Sequence, residues 1–412
     1  MTNLEILIQE LCPDGVEFRT MEEVFEIRNG YTPSKNNPDF WEGGTIPWFR
    51  MEDIRQNGRI LSDAIQHITP AAIKGKGLFP ANSIIIATTA TIGEHALVIA
   101  DSLANQRFTN LAVRKSLSAC LLPKFVFYYM FVIDEWCKKN VNAGNFASVD
   151  MKRFKKLEFP LPPIEVQTEI VRILDKFTSL EAELEAELDC RKRQYEYYRD
   201  KLLSFENVGG QEVEWKKMSE VGTFIRGNGL QKKDFTESGV GCIHYGQIYT
   251  KFNTFTDKTL TYCSENVARK LTPVHPGDLI IACTSENVED VCKTVAWLGK
   301  EDIVTGGHAC VFSHHENPKY IAYLLQTENF FQQKKKYARG VKVIDIKVAD
   351  LQKITLPIPS LEEQHRIVSI LDRFESLATS LQSGLPAEIA ARRQQYEHYR
   401  DKLLTFKRKG AA

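Results

Sequence analysis

The sequence predicts an α+β protein: two mixed α/β domains separated by long helices that pair as an antiparallel coiled coil, built as an internal repeat with pseudo-two-fold symmetry. Three observations carry this expectation. One helical stretch is written twice, PLPPIEVQTEIVRILDKFTSL (Pro160–Leu180) and PIPSLEEQHRIVSILDRFESL (Pro357–Leu377), with Gln167 and Gln364 lying 197 positions apart. Each copy is followed by a second shared segment, QYEYYRDKLLSF (Gln194–Phe205) and QYEHYRDKLLTF (Gln395–Phe406). The residues before each copy also follow one plan: Val16–Val24 matches Val213–Val221, Phe79–Thr89 matches His275–Ser285, and Leu122–Tyr129 matches Asn317–Leu324.

In chain order, this gives a first α/β domain with a short N-terminal helix (1–158), a helical spacer (159–206), a second α/β domain (207–355) and a C-terminal helical spacer (356–412). In the first domain, Ile46–Ile54 and Ser83–Gly93 read as strands entering loops. Lys124–Lys139 has helical periodicity behind a proline start. The N-terminal LEILIQELCPDG stands before the first domain as LLSFENVGG stands before the second, so it is expected to dock where the tail of a third helix would lie.

The first spacer reads in heptads. One register runs Ile170, Phe177, Leu184, Arg191, Tyr198, Phe205, and the other Leu174, Glu181, Leu188, Tyr195, Leu202. Only Arg191 and Glu181 interrupt this apolar seam, which marks a coiled-coil helix. The second spacer keeps Ile367, Leu371, Phe374, Ala378, Leu381 and Leu385, then resumes at Tyr396, Tyr399, Leu403 and Phe406. Its spacing is four residues longer, a stutter that coincides with Ser383–Pro386, where a stop and restart should kink the helix.

Composition narrows the function. Lys+Arg and Asp+Glu are equal at 53 each, so any basic surface must be local. The nine cysteines form no CxxC or Cys/His ligand spacing and read as free thiols of a reducing cytoplasm. The N-terminus lacks the features of a signal peptide and no run is long enough for a membrane span, so a cytoplasmic location without a membrane partner is expected. No phosphate loop, HExxH, GxSxG or base-holding methyltransferase motif occurs. The histidines His244, His308, His314 and His315 lack a partner at ligand spacing, so no metal and no catalytic residue is expected.

Reading duplex DNA needs donors and acceptors at loop and strand ends, with cations for phosphate. The first domain offers Arg28, Tyr31, Ser34, Lys35, Trp48, Arg50, Thr88, Thr89, Asn105, Gln106 and Arg107, with the loop Asn142–Ser148. The second offers Arg226, Asn228, Lys232, His244, Tyr245, Gln247, Thr284 and Ser285, and a basic run from Lys334 to Lys336 with Arg339 and Lys342 as a phosphate clamp. Each alone reads equally as an ordinary polar loop residue. Placement at matching points of both halves favours recognition.

The segments Ile173–Phe177, Ile370–Phe374 and Gln194–Leu203, with Ile46–Ile54 and Ser83–Gly93, resemble the specificity subunits of type I restriction-modification systems. The resemblance covers essentially the whole chain. It implies that each α/β domain is a target-recognition domain for one half of a bipartite, asymmetric site in double-stranded DNA. It implies that the helices act as a ruler and dock two methyltransferase subunits, with translocase-nuclease restriction subunits joining for cleavage. S-adenosylmethionine, ATP and Mg would then belong to those partners, and this chain would bind no cofactor. The tandem Glu181–Leu184 and Glu185–Leu188 resembles the tetrapeptide repeat whose copy number sets spacer length in one subfamily. Two other readings stay open on the residues alone: a coiled-coil scaffold without DNA specificity, and a cryptic DNA-modifying or DNA-cleaving enzyme.

Overall fold

The computed structural model describes residues 3–142, 147–205, 213–379 and 384–410. The chain divides into two compact units, residues 1–183 with 389–412, and residues 184–388.

In the first unit a five-stranded sheet has the order Phe25–Asn29, Phe108–Val113, Ser83–Ala87, His95–Val98, Ile60–Leu61. A smaller sheet places Ile46–Phe49 between His67–Ile68 and Leu103–Ala104. Helix Pro123–Lys139 covers one face of the large sheet, burying Phe125, Tyr129 and Met130 with Ile84, Leu97 and Leu111. The other face buries Ile85, Ala87 and Phe108 with Trp48 and Phe49. The all-apolar run Ser83–Ala87 is therefore a central strand covered on both sides. The segment Ile46–Ile54, expected as a strand entering a loop, is strand over Ile46–Phe49 and then enters a helix in place of a loop. From Met51 to Asn57 it is helical, because Asp53 takes the Arg50 N–H and Met51 and Ile54 turn inward.

The second unit repeats the large sheet as Gly222–Arg226, Ala309–His314, Leu279–Ala282, Thr294–Trp297, Phe255–Thr256. Its second sheet has five strands and contains Val240–Ile243 beside Ile303–Thr305. The ribbons that enter and leave each unit share one register: Glu17 lies opposite Leu161 and Glu214 opposite Ile358. One sequence match slips. Ala87 exchanges bonds with Glu94 and Gly93 as Ala282 does with Lys293 and Cys292, so Thr88 is the counterpart of Cys283, and Thr89 that of Thr284.

The central helix spans Ile164–Ser204, 41 residues, and ends where Phe205 takes a φ of 54°. Its first part belongs to the first unit and packs Ile170 and Leu174 with Tyr396, Leu403 and Phe406. Phe177 lies against Tyr396 and Tyr399, and Glu181 pairs with Arg393, so the direction is antiparallel. Its last part belongs to the second unit, where Tyr195, Leu202 and Leu203 pack with Ile367 and Leu371, and Tyr198 meets Phe374. Leu184 and Leu188, between these contacts, are half-buried. The second spacer is two helices, Leu361–Thr379 and Leu385–Leu403, as the stop signal requires; Leu381 and Ser383 fall outside the described residues.

Matched polar locks hold helix to domain. The Gln167 amide accepts from Leu122 N and donates to the carbonyls of Cys120 and Pro162. Gln364 accepts from Asn317 N and donates to Pro359 O and Glu316. Asp175 accepts from Lys124 and Tyr128, and Asp372 from Lys319 and Tyr323. In the first unit the N-terminal helix Asn3–Leu11 sends Leu4 into the core, and Val16 bonds both Lys407 O and Lys409 N. Gly15 makes that approach possible, since a Cβ there would lie 2.7 Å from Lys407 O.

Candidate nucleic-acid interface

In the first unit the loop segments proposed from sequence gather at one edge. Trp48 lies opposite Leu103 in a parallel pair, and Asn105 N donates to Phe49 O. Tyr31 N donates to Ala104 O, Thr32 bonds Gln106, and Thr88 N donates to Arg107 O. Gly30 permits this closeness, because a Cβ would sit 2.3 Å from the carbonyls of Ala104 and Asn105. Its counterpart Gly227 is equally tight, 2.0 Å from Gly306 O. The middle of loop Asn142–Ser148 lies outside the described residues, while Ser148 bridges Thr89.

The residues at this edge divide into supports and exposed groups. Arg28 donates to the carbonyls of Lys76, Gly77 and Leu78 and lies over Phe79, so its guanidinium holds a turn. Tyr31 donates to Ala72 O and accepts from Lys74 N. Trp48 is buried, with its indole N–H on Tyr31 O. Buried Thr88 bonds Thr109. Ser34, Lys35, Gln106 and Arg107 are exposed, and Arg50, Thr89 and Asn105 are half-buried.

In the second unit Arg226, Asn228, Lys232 and Lys342 are exposed. His244 caps helix Tyr245–Thr250, its Nδ1 accepting from Gly246 N and its own N–H donating to Gln247. Gln247 is a support that also meets Thr261. Burial, and then the charges of Lys232 and His308, hold the His244 imidazole below its ordinary value. Tyr245, Thr284 and Ser285 line one cleft of about 490 Å³ together with Tyr249, Glu286, Asn287 and Val343. Glu286, Asn287 and Tyr249 were absent from the sequence expectation; their nearness to Thr284–Ser285 was the available signal.

The basic run does not form one clamp. Lys334 is buried, and its ammonium donates to the carbonyls of Glu289 and Val291, with burial lowering its proton affinity. Arg339 pairs with Asp350 at 3.6 Å. Lys335, Lys336 and Lys342 remain exposed, and Val341, beside Lys342 in the chain, is 95 % exposed.

Cys283, Cys292 and Cys310, distant in sequence, converge in the second core. Burial raises the Cys292 thiol, and a hydrogen bond with Cys283 together with burial raises that of Cys310, so Cys292 and Cys310 are neutral thiols. Among the described residues no group of three or more His, Cys, Asp or Glu is placed to hold a metal ion, and no helix is long and apolar enough to cross a membrane.

With this geometry, comparison with known proteins is specific. The family model described as the type I restriction modification DNA specificity domain matches residues 13–189 and again 211–391. The EcoprrI type I restriction enzyme specificity subunit of Escherichia coli is 40 % identical over 403 residues, 92 % of both chains. A second Escherichia coli specificity subunit is 35 % identical over 69 % of this chain and 71 % of its own length. A putative one from Haemophilus influenzae is 31 % identical over 63 % of this chain and 66 % of its own. The fold is similar to that of a chain from a solved type I restriction-modification system, with a TM-score of 0.62 at 17 % identity, covering 95 % of this chain and 97 % of that one.

Proposed function

The chain belongs to the type I restriction-modification DNA specificity family, the non-catalytic component of such systems, and from that premise we propose that it reads a bipartite, asymmetric site in duplex DNA. Residues 1–158 read one half and 207–355 the other, through the loop edges described above. The helical spacers 159–206 and 356–412 set the distance between the half-sites and dock two methyltransferase subunits. Restriction subunits join that assembly for cleavage. S-adenosylmethionine, ATP and Mg are bound and used by those partners. The family's site of action is DNA, which agrees with a cytoplasmic location.

One observation supports this reading above the rest. The same sheet order, ribbon register and loop edge recur in both units, while the exposed side chains at the edge differ. A shared frame with different reading groups is what two half-sites of different sequence require. The test is genome-wide mapping of methylated adenine in cells carrying this chain with its methyltransferase partner. Replacing residues 207–355 by those of another specificity subunit should change one half of the motif and leave the other intact. A motif that stays whole, or changes in both halves, would overturn the proposal.

A further inference from the structure

Two backbone positions recur at the reading edge of each unit. The first follows the strand that pairs in parallel within the smaller sheet and caps the next helix: Arg50 after Ile46–Phe49, and His244 after Val240–Ile243. In both, the cap N–H is held by the side chain three residues on, Asp53 at 2.6 Å and Gln247 at 2.9 Å. The second stands just before the long antiparallel strand: Arg107 before Phe108–Val113, and His308 before Ala309–His314. Their carbonyls take equivalent bonds, from Thr88 N and Cys283 N. Arginine thus occupies both positions in the first unit, and histidine both in the second.

The side chains here stand on hydrogen-bonded backbone. Arg50 lies over Trp48 at 5.9 Å, and among the described residues its buried Nε has no hydrogen-bond partner, only Glu52 at 3.9 Å. A buried donor left unmade is costly, so the half-buried Arg50 gains by turning its guanidinium to an acceptor outside the protein. Arg107 is exposed. In the second unit the rings of His244 and His308 flank Tyr245 at 4.5 and 5.0 Å. His308 reaches the edge through a φ of 68°. His244 Nδ1 already accepts from Gly246 N, so the neutral ring carries its proton on Nε2 and offers one donor.

Resting on the half-site reading above, we propose that these two positions are the specificity-determining pair of each unit. Arg50 and Arg107 read guanine O6 and N7 in one half-site, and His244 and His308 donate to single purine acceptors in the other. The guanidinium fork matches the guanine edge with two parallel bonds, whereas a glutamine at the same place matches adenine. The pair differs in chemistry between the units because the two half-sites differ in sequence.

The test is binding of the assembled methyltransferase complex to duplexes carrying every single-base change in the mapped site, with genome-wide methylation mapping alongside. Arg50→Gln should lose about 10-fold or more in preference for one guanine of the first half-site, with the second half unaltered. His244→Arg should change one base of the second half only, and Arg107→Gln gives an independent reading should Arg50→Gln impair assembly. A motif unchanged in Arg50→Gln, Arg107→Gln and His244→Arg would overturn the pair, as would a uniform loss of affinity on every duplex. The half-site reading fails differently, by an exchange of residues 207–355 that leaves the motif intact.

Discussion

The ring of Phe177 stacks on that of Tyr399, centroids 5.7 Å apart at 24°, and this contact closes the helix pair of the first unit. Its counterpart in the second unit is Phe374 on Tyr198, at 6.1 Å and 19°. The phenylalanines are 197 positions apart and the tyrosines 201. The four extra residues therefore fall between the two contacts in the second spacer, where one helix ends at Thr379 and the next begins at Leu385. The insertion leaves both aromatic pairs intact. Phe177→Ala and Tyr399→Ala should show a coupling of about 1 kcal/mol in a double-mutant cycle of urea unfolding, beyond their separate area losses. Additive effects would remove the stack from the account.

The paired glutamines are a second common device. Each sits wholly buried with three hydrogen bonds, two donated and one accepted. Gln167→Leu or Gln364→Leu should cost about 1–3 kcal/mol by stranding backbone groups in the adjoining turn. Thermal melting of the full chain checks the size. Methylation mapping should return the same motif at reduced yield.

Lysines 334 and 342 separate structure from phosphate contact. Lys342→Ala should weaken DNA binding on all sequences and flatten the log-affinity against log-salt slope by about 1. Lys334→Ala should leave that slope unchanged and destabilise the second unit, since its ammonium serves the carbonyls of Glu289 and Val291. Salt titration of the assembled complex distinguishes them.

Acid should loosen the second unit through His314. Burial brings this imidazole down from 6.5 to about 4, against the opposing charges of Asp278 and Glu316, and among the described residues its buried Nε2 has no hydrogen-bond partner. The folded value lies below the unfolded one, so the unfolded chain takes the proton first. The stability is fully present above pH ~6.5 and is lost as pH falls toward 4, roughly 3 kcal/mol in all. Urea midpoints of His314→Gln should fall less steeply across that window than those of the parent chain. Parallel curves would assign acid sensitivity elsewhere.

Much of this architecture is legible in the residues, and its limits are physical. The seam positions repeat at the helical period, so Ile170, Leu174, Ile367 and Leu371 announce their burial directly. The loop edge follows from strand ends. What the sequence conceals is where a long side chain goes. Arg28 meets carbonyls some fifty positions onward, and Lys334 meets carbonyls more than forty positions back. Both look like surface cations in a polar run. Equally hidden is the slip that makes Cys283 the counterpart of Thr88, because two isoleucine-rich strands align almost as well one residue apart. The turn that follows each strand, closed at Ala87 in one unit and at Ala282 in the other, sets that register.

The sharpest test of readers held at a fixed separation is to lengthen the helix between them. Inserting one further Glu-Ala-Glu-Leu after Leu188 adds about 6 Å of helix, against about 3.4 Å per base pair. Methylated-adenine mapping should then return both half-sites unaltered with the unread gap longer by one or two base pairs. An unchanged gap, or a change in either half-site, would contradict the account.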